Sequence, residues 1–254
     1  MARNLTSLGA LIFLAGSLIL LWFVILSGIT RTSPLRQTYF LRADTSGITG
    51  ARDISQWTFF KVCGLNNLDC GPARPGLPLG DAWASDASGV PAELIGSHGG
   101  HTTSTTYWYM WRFGWVFFLI ALFFETVAFF AGFLACVSRL GAAISGFLGV
   151  VSLLFLSVAV SLMTATFVMM RNAFTADNRS ASLGRYAFGF SWGAWAALLI
   201  STILFCVARR SQSKNSVADG SPRSRFGFGG MGLRRKSTAS RRSWDGRRVK
   251  EEYP

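Results

Sequence analysis

The sequence predicts an all-α membrane protein, a bundle of four transmembrane helices with a long loop after the first. Three observations predict it. Hydrophobic residues make up 50% of the 254-residue chain and charged residues only 15%, against about 25% charged in soluble domains. The apolar residues are gathered in four runs, 5–29, 113–137, 142–170 and 188–208, and about 20 such residues cross a bilayer core. Charged residues are almost absent from these runs, whereas a soluble helix shows a polar face at helical spacing. A helix also satisfies its own backbone hydrogen bonds, which lipid demands.

Each element follows in order. Residues 1–4 form a short N-terminus ahead of the first run. That run follows Arg3, as a signal peptide would, but it is longer than a typical h-region and no A-x-A-like site follows it. An uncleaved first helix is the favoured reading, with a signal peptide as the alternative. Residues 30–112 make the long loop. The second run carries Glu125 near its centre, at roughly 2.5–3.5 kcal/mol if valued like Asp. Fifteen Phe, Leu, Ile and Val residues share that helix, together worth roughly −5 to −9 kcal/mol, so insertion wins. A short turn at 138–141 leads to the third run, which is long enough to tilt or protrude. Residues 171–187 form a second loop. After the fourth run, residues 209–254 are basic, polar and Ser-rich, the composition of a disordered tail.

An even number of spans puts both termini on one side. The tail holds thirteen Lys/Arg against four Asp/Glu, and basic tails stay in the cytoplasm. Nearer the helix ends the count is even, seven on each side. Long loops translocate largely regardless of charge, which places 30–112 outside. Trp22, Trp108, Trp111, Trp115, Trp192 and Trp195 would all meet one membrane interface, where indole rings prefer to lie. Cys63 and Cys70 lie in the long loop with Gly64, Asn66, Asn67 and Asp69 between them. The pair reads as a small disulfide, which persists outside the cytosol. Two free loop cysteines are the alternative; zinc lacks a second ligand pair. Cys136 and Cys206, at the opposite helix ends, read as packing residues or acylation candidates.

The stretch before the cysteine pair is Trp57-Thr58-Phe59-Phe60-Lys61-Val62-Cys63, an aromatic anchor leading into a short bridge. Trp57, Phe59 and Phe60 can pack against the bridge or the membrane surface. The flanking residues suggest β-structure without a countable strand pattern. Residues 71–105, rich in Gly, Pro, Ser and Thr, read as a mobile segment.

With these residues the chain resembles the fungal Sur-seven/PalI family of claudin-like four-span membrane proteins, over about residues 1–210. Claudin-like proteins carry a W…GLW-x-x-C…C signature in the first loop. Trp57 fits the first aromatic, Phe59 through Cys63 stand in place of GLW-x-x-C, and Cys70 fits the second cysteine. The Gly and the second Trp are replaced, which argues against a claudin role at cell junctions. The resemblance implies a claudin-like bundle whose first outer loop can hold a small sheet. It also implies a plasma-membrane protein of static cortical domains over eisosomes, affecting membrane organisation, endocytosis and cell-wall integrity. The PalI branch implies ambient-pH or wall-stress sensing instead.

Other residues invite separate readings. Glu125 is the one acid inside a span, and intramembrane carboxylates are functional candidates by default. It reads as a carboxyl bonded to Ser157 or Thr164 on a neighbouring helix, or as the centre of a channel or transporter. Gly132, Gly149, Gly189 and Gly193 sit in small-residue faces that let helices approach, within one bundle or between copies. His98 and His101 read as solvated histidines, with metal binding or pH sensing as the alternative. Asn178-Arg179-Ser180 is an N-glycosylation sequon close to the membrane. Ser237, Ser240 and Ser243 are phosphorylation candidates beside Arg234-Arg235-Lys236. No phosphate-binding Gly loop, nucleophile elbow or H-E-x-x-H is present, so an enzyme is not expected, and no cofactor. Of the net charge of +13, nine lie in the tail. Anionic lipid is therefore the expected partner rather than nucleic acid, together with self-association or other cortical membrane proteins.

Overall fold

The computed structural model describes residues 2–30, 32–85 and 87–218. Among these, four helices are long and apolar enough to cross a membrane. They are α1 (Ala2–Ile25), α2 (Thr105–Val137), α3 (Arg139–Ala176) and α4 (Arg185–Ala218). Strands β1 (Leu41–Asp44), β2 (Ile54–Trp57) and β3 (Val62–Cys63) follow α1, and β4 (Ala181–Leu183) lies between α3 and α4. They form one antiparallel sheet in the order β3-β2-β1-β4.

The helices outrun their apolar cores. Helix α2 begins at Thr105 rather than at 113, and α3 runs on to Ala176 rather than ending at 170. The expected turn at 138–141 shrinks to Ser138 alone, which ends α2 and caps α3, its Oγ accepting from Gly141 N–H at 3.0 Å. A Ser N-cap satisfies one of the orphan donors of the first turn. Helix α4 continues to Ala218, so the expected disordered tail does not start at 209. Its remainder, 219–254, lies outside the described residues, as do Ser237, Ser240 and Ser243.

Hydroxyls join the helices pairwise. Ser17 donates to Ala194 O and Ser201 to Ala10 O, both at 2.8 Å, which ties α1 to α4. Ser145 donates to Ala128 O at 2.9 Å and Ser152 to Ala121 O at 2.8 Å, which ties α2 to α3. Trp195 Nε1 donates to Ser157 Oγ at 2.7 Å, which joins α4 to α3. In lipid, where burying apolar surface gains little, such bonds and close packing hold a bundle together.

The segment 71–105, expected to be mobile, is packed instead. Leu77, Leu79, Trp83 and Leu94 are buried. Trp57 Nε1 donates to Leu79 O at 2.9 Å, Trp83 Nε1 to Thr102 O at 3.2 Å, and Gly80 N–H to Thr103 Oγ1 at 3.0 Å. A few widely spaced apolar anchors outweigh the loop-forming composition between them. The sheet also takes its edge strand β4 from the second loop, so both loops build one layer.

Candidate functional site

The loop signature is where the sheet joins the helices. Ser27 Oγ, just past α1, accepts from Phe59 N–H at 3.1 Å. Gly28 beside it takes a positive φ of 74°, and a Cβ there would meet Thr58 Oγ1 at 2.5 Å. Only glycine allows that approach without strain. Phe59 is fully buried, stacked on Trp115 at 5.7 Å and edge-on to Phe118 at 5.9 Å. Phe60 meets Trp115 edge-on at 5.8 Å. Trp57, 1% exposed, sits between Trp83 and Phe174 of α3. The anchor residues therefore grip α2 and α3.

Cys63 and Cys70 form the expected disulfide. Asn66, Asn67 and Asp69 between them take positive φ of 59°, 52° and 49°, a region that Asn and Asp visit more readily than other non-glycine residues. Asn67 is buried and donates to Leu35 O at 3.2 Å and Thr38 O at 2.9 Å, which fastens the bridge to the turn before β1. Arg52 Nε pairs with Asp69 at 2.8 Å.

Phe40 plays a part that the sequence did not single out. It is fully buried, stacked on Phe167 of α3 at 5.0 Å and edge-on to Trp111 of α2 and Phe188 of α4. Trp111, expected at the membrane interface, is a core residue at 1% exposure; Trp22 and Trp192 are exposed at 45% and 42%. Gly184 lets this junction close. Its N–H donates to Phe40 O at 2.9 Å, and a Cβ there would strike Tyr39 O.

Within the bundle Glu125 is fully buried, and neither carboxyl oxygen has a hydrogen-bond partner. The expected partners are engaged elsewhere: Thr164 donates to Val160 O, and Ser157 donates to Leu153 O while accepting from Trp195. The hydroxyl beside Glu125 is Ser17, whose proton goes to Ala194 O. The glycines divide. A Cβ on Gly132 would meet Leu11 Cδ2 at 2.7 Å, one on Gly149 Thr202 Oγ1 at 3.0 Å, and one on Gly193 Leu20 Cδ1 at 3.3 Å. Gly189 has nothing within 4 Å, so it is not part of a seam inside the bundle.

The remaining candidates stand apart. His98 packs on Trp108 at 5.3 Å and Tyr109 at 5.7 Å, and among the described residues no His, Cys, Asp and Glu gather as a metal site. Asn178 is exposed just past α3 with φ 57°. Cys206 is a free, exposed thiol, while the Cys136 side chain lies outside the described residues. Outside the spans, the Ser46 hydroxyl at 2.6 Å and N–H at 2.9 Å, with a smaller contribution from Arg179, hold the Asp44 carboxyl below its usual value.

The chain is similar to known proteins of yeasts. Protein SUR7 of Candida albicans is 38% identical over 207 residues, 80% of this chain and 74% of that protein. Protein SUR7 of Saccharomyces cerevisiae is 33% identical over 202 residues, 76% of this chain and 64% of that protein. A third relative, the Saccharomyces cerevisiae "Uncharacterized plasma membrane protein YNL194C", is 26% identical over 214 residues, 81% of this chain and 68% of that protein. The model of the SUR7/PalI family matches residues 6–204, through all four helices and the sheet, and the chain belongs to that family.

Proposed function

We propose that the chain is an organising protein of plasma-membrane cortical domains, with its sheet outside the cell and both termini in the cytoplasm. Through those domains it acts on membrane organisation, endocytosis and cell-wall integrity. The observation that carries this reading is the lateral surface. Phe123, Phe130 and Phe133 of α2 and Leu140, Phe147 and Leu154 of α3 are 54–70% exposed. On a membrane helix such a face meets lipid or neighbouring spans. The aromatic junction at Phe40 and Phe59 ties the sheet to this surface. Contacts made in the bilayer and contacts made by the sheet then belong to one unit. The plasma-membrane name of one relative supports the location, and the disulfide supports an outward sheet. Tagged full-length chain in living fungal cells is expected to form stationary cortical patches with slow recovery after photobleaching. Even, rapidly recovering fluorescence would refute the organiser role.

A further inference from the structure

Where β1, β2 and β4 meet the start of α4, the sheet opens into a cavity of about 410 Å³. Three arginines are among its lining residues, Arg36, Arg42 and Arg185, and no acidic residue is. Among the described residues the ion pairs are made by Arg52, Arg74 and Arg179, and none of the three lining arginines has a protein partner for its guanidinium. The neighbouring cavity shares Arg42 and Ser182 but is lined by Asp44 and Asp53. The carboxylates thus line only the neighbouring hollow, while Arg42 borders both.

A second donor points the same way. Gln56 lines the basic cavity and is 1% exposed. Its Oε1 accepts from Asn67 N–H at 2.9 Å, while its amide N–H₂ has no acceptor among the described residues. Gln56 lines the cavity, so this amide donor is available to an acceptor seated there. Arginine forks suit phosphate oxygens in particular.

Position selects the kind of phosphate. Arg185 is the first residue of the apolar span of α4, residues 185–208. Tyr186 beside it is 47% exposed, and tyrosine rings favour the headgroup level. The first turn of α4 carries no acidic residue, so its positive end is uncompensated. A phosphate held in this cavity would lie at the start of the apolar span of α4, the level a lipid headgroup occupies.

We propose that this cavity binds the phosphate of an anionic lipid headgroup in the leaflet on the sheet side. The site goes beyond the organiser reading and does not rest on it. It is also separate from any lipid contact of the basic C-terminal segment, which the variants below resolve.

The test uses full-length protein in phosphatidylcholine nanodiscs, titrated with dioctanoyl phosphatidylglycerol, dioctanoyl phosphatidylcholine or inorganic phosphate. Phosphatidylglycerol is expected to bind saturably and at least about tenfold more tightly than the other two, because only it joins charge to an acyl anchor. Arg42→Gln with Arg185→Gln should weaken it about tenfold or more, at an unchanged thermal midpoint. Arg52→Gln, outside the cavity, should leave binding unaltered. If the double variant folds poorly, Arg36→Gln alone, at an exposed position before β1, is expected to weaken binding several-fold. Equal binding of inorganic phosphate would make this a free-phosphate site and overturn the lipid assignment. Equal binding of phosphatidylcholine, or full affinity in the folded arginine variants, would overturn the site itself.

Discussion

Glu125 is buried at 0% exposure with both carboxyl oxygens unbonded, an unfavourable state that packing around it must offset. Met matches its length without a polar head. Glu125→Met is therefore expected to raise the thermal midpoint in detergent, by about 1–3 kcal/mol in stability. A clear fall would mean that the carboxyl has a polar partner in the folded protein. Asp44 behaves in the opposite sense at the surface. Ser46 and, to a smaller extent, Arg179 favour its charged form and hold it below 3.8. A depressed folded value means stability fully present above 3.8 and lost as pH falls through the folded value. Ser46→Ala, which keeps the backbone N–H, should move the Asp44 titration, followed by NMR, part of the way up toward 3.8; no movement would remove the Ser46 hydroxyl as the cause. Residues of this kind are only partly legible in sequence. Cys63, Cys70 and Trp57 announce themselves by type and spacing. Phe40 is one phenylalanine among twenty-two, and Arg36, Arg42 and Arg185 become neighbours only when β4 pairs with β1.

Helices α1 to α4 are legible because a span must be apolar along nearly its whole length, whatever it packs against. Their ends are less so, since backbone bonding carries α2 and α3 past the apolar core into polar sequence. Strand β4 is hidden for a different reason. Ala181–Leu183 is three residues long, too short to alternate visibly, and its partner β1 lies in the other loop. The small-residue pattern marks close approach on helices but not which glycine makes it. Gly132→Leu is expected to cost about 1–3 kcal/mol through overpacking, because its new side chain would press on Leu11 and Phe205. Gly189→Leu should leave the thermal midpoint unchanged, the space there being open. If Gly189→Leu reduces self-association in crosslinking, that face joins copies of the chain; the reverse ranking of midpoints would contradict the packing described. Removing the bridge with Cys63→Ser should cost roughly 2–3 kcal/mol locally, read as faster proteolysis of the sheet in otherwise folded protein.

At the scale of the whole molecule, the sheet and Asn178 lie beyond the same ends of the helices. The even number of spans leaves the outer ends of α1 and α4 at the opposite membrane face. The disulfide argues that the sheet side is extracytoplasmic, which would bring Asn178 to the glycosylation machinery. In sequence the sequon stands close to the end of the apolar run at 170. Helix α3 changes that distance: it continues to Ala176, and six more helical residues add about 9 Å at 1.5 Å each. Asn178 is exposed, and the neighbouring Arg179 anchors the turn by donating to Ser46 O at 2.8 Å and Gly89 O at 3.0 Å. The full-length chain expressed in a fungal host is therefore expected to shift on glycosidase treatment. Asn178→Gln should abolish the shift, and Asn4→Gln should not. A shift carried by Asn4 instead would invert the topology. If Asn178 carries no glycan, a cysteine placed at the exposed Ser88 in a background with both Cys136→Ser and Cys206→Ser decides the orientation. An impermeant maleimide should label it on intact spheroplasts, whereas labelling only after lysis would put the sheet in the cytoplasm and remove the outward half of the proposed architecture.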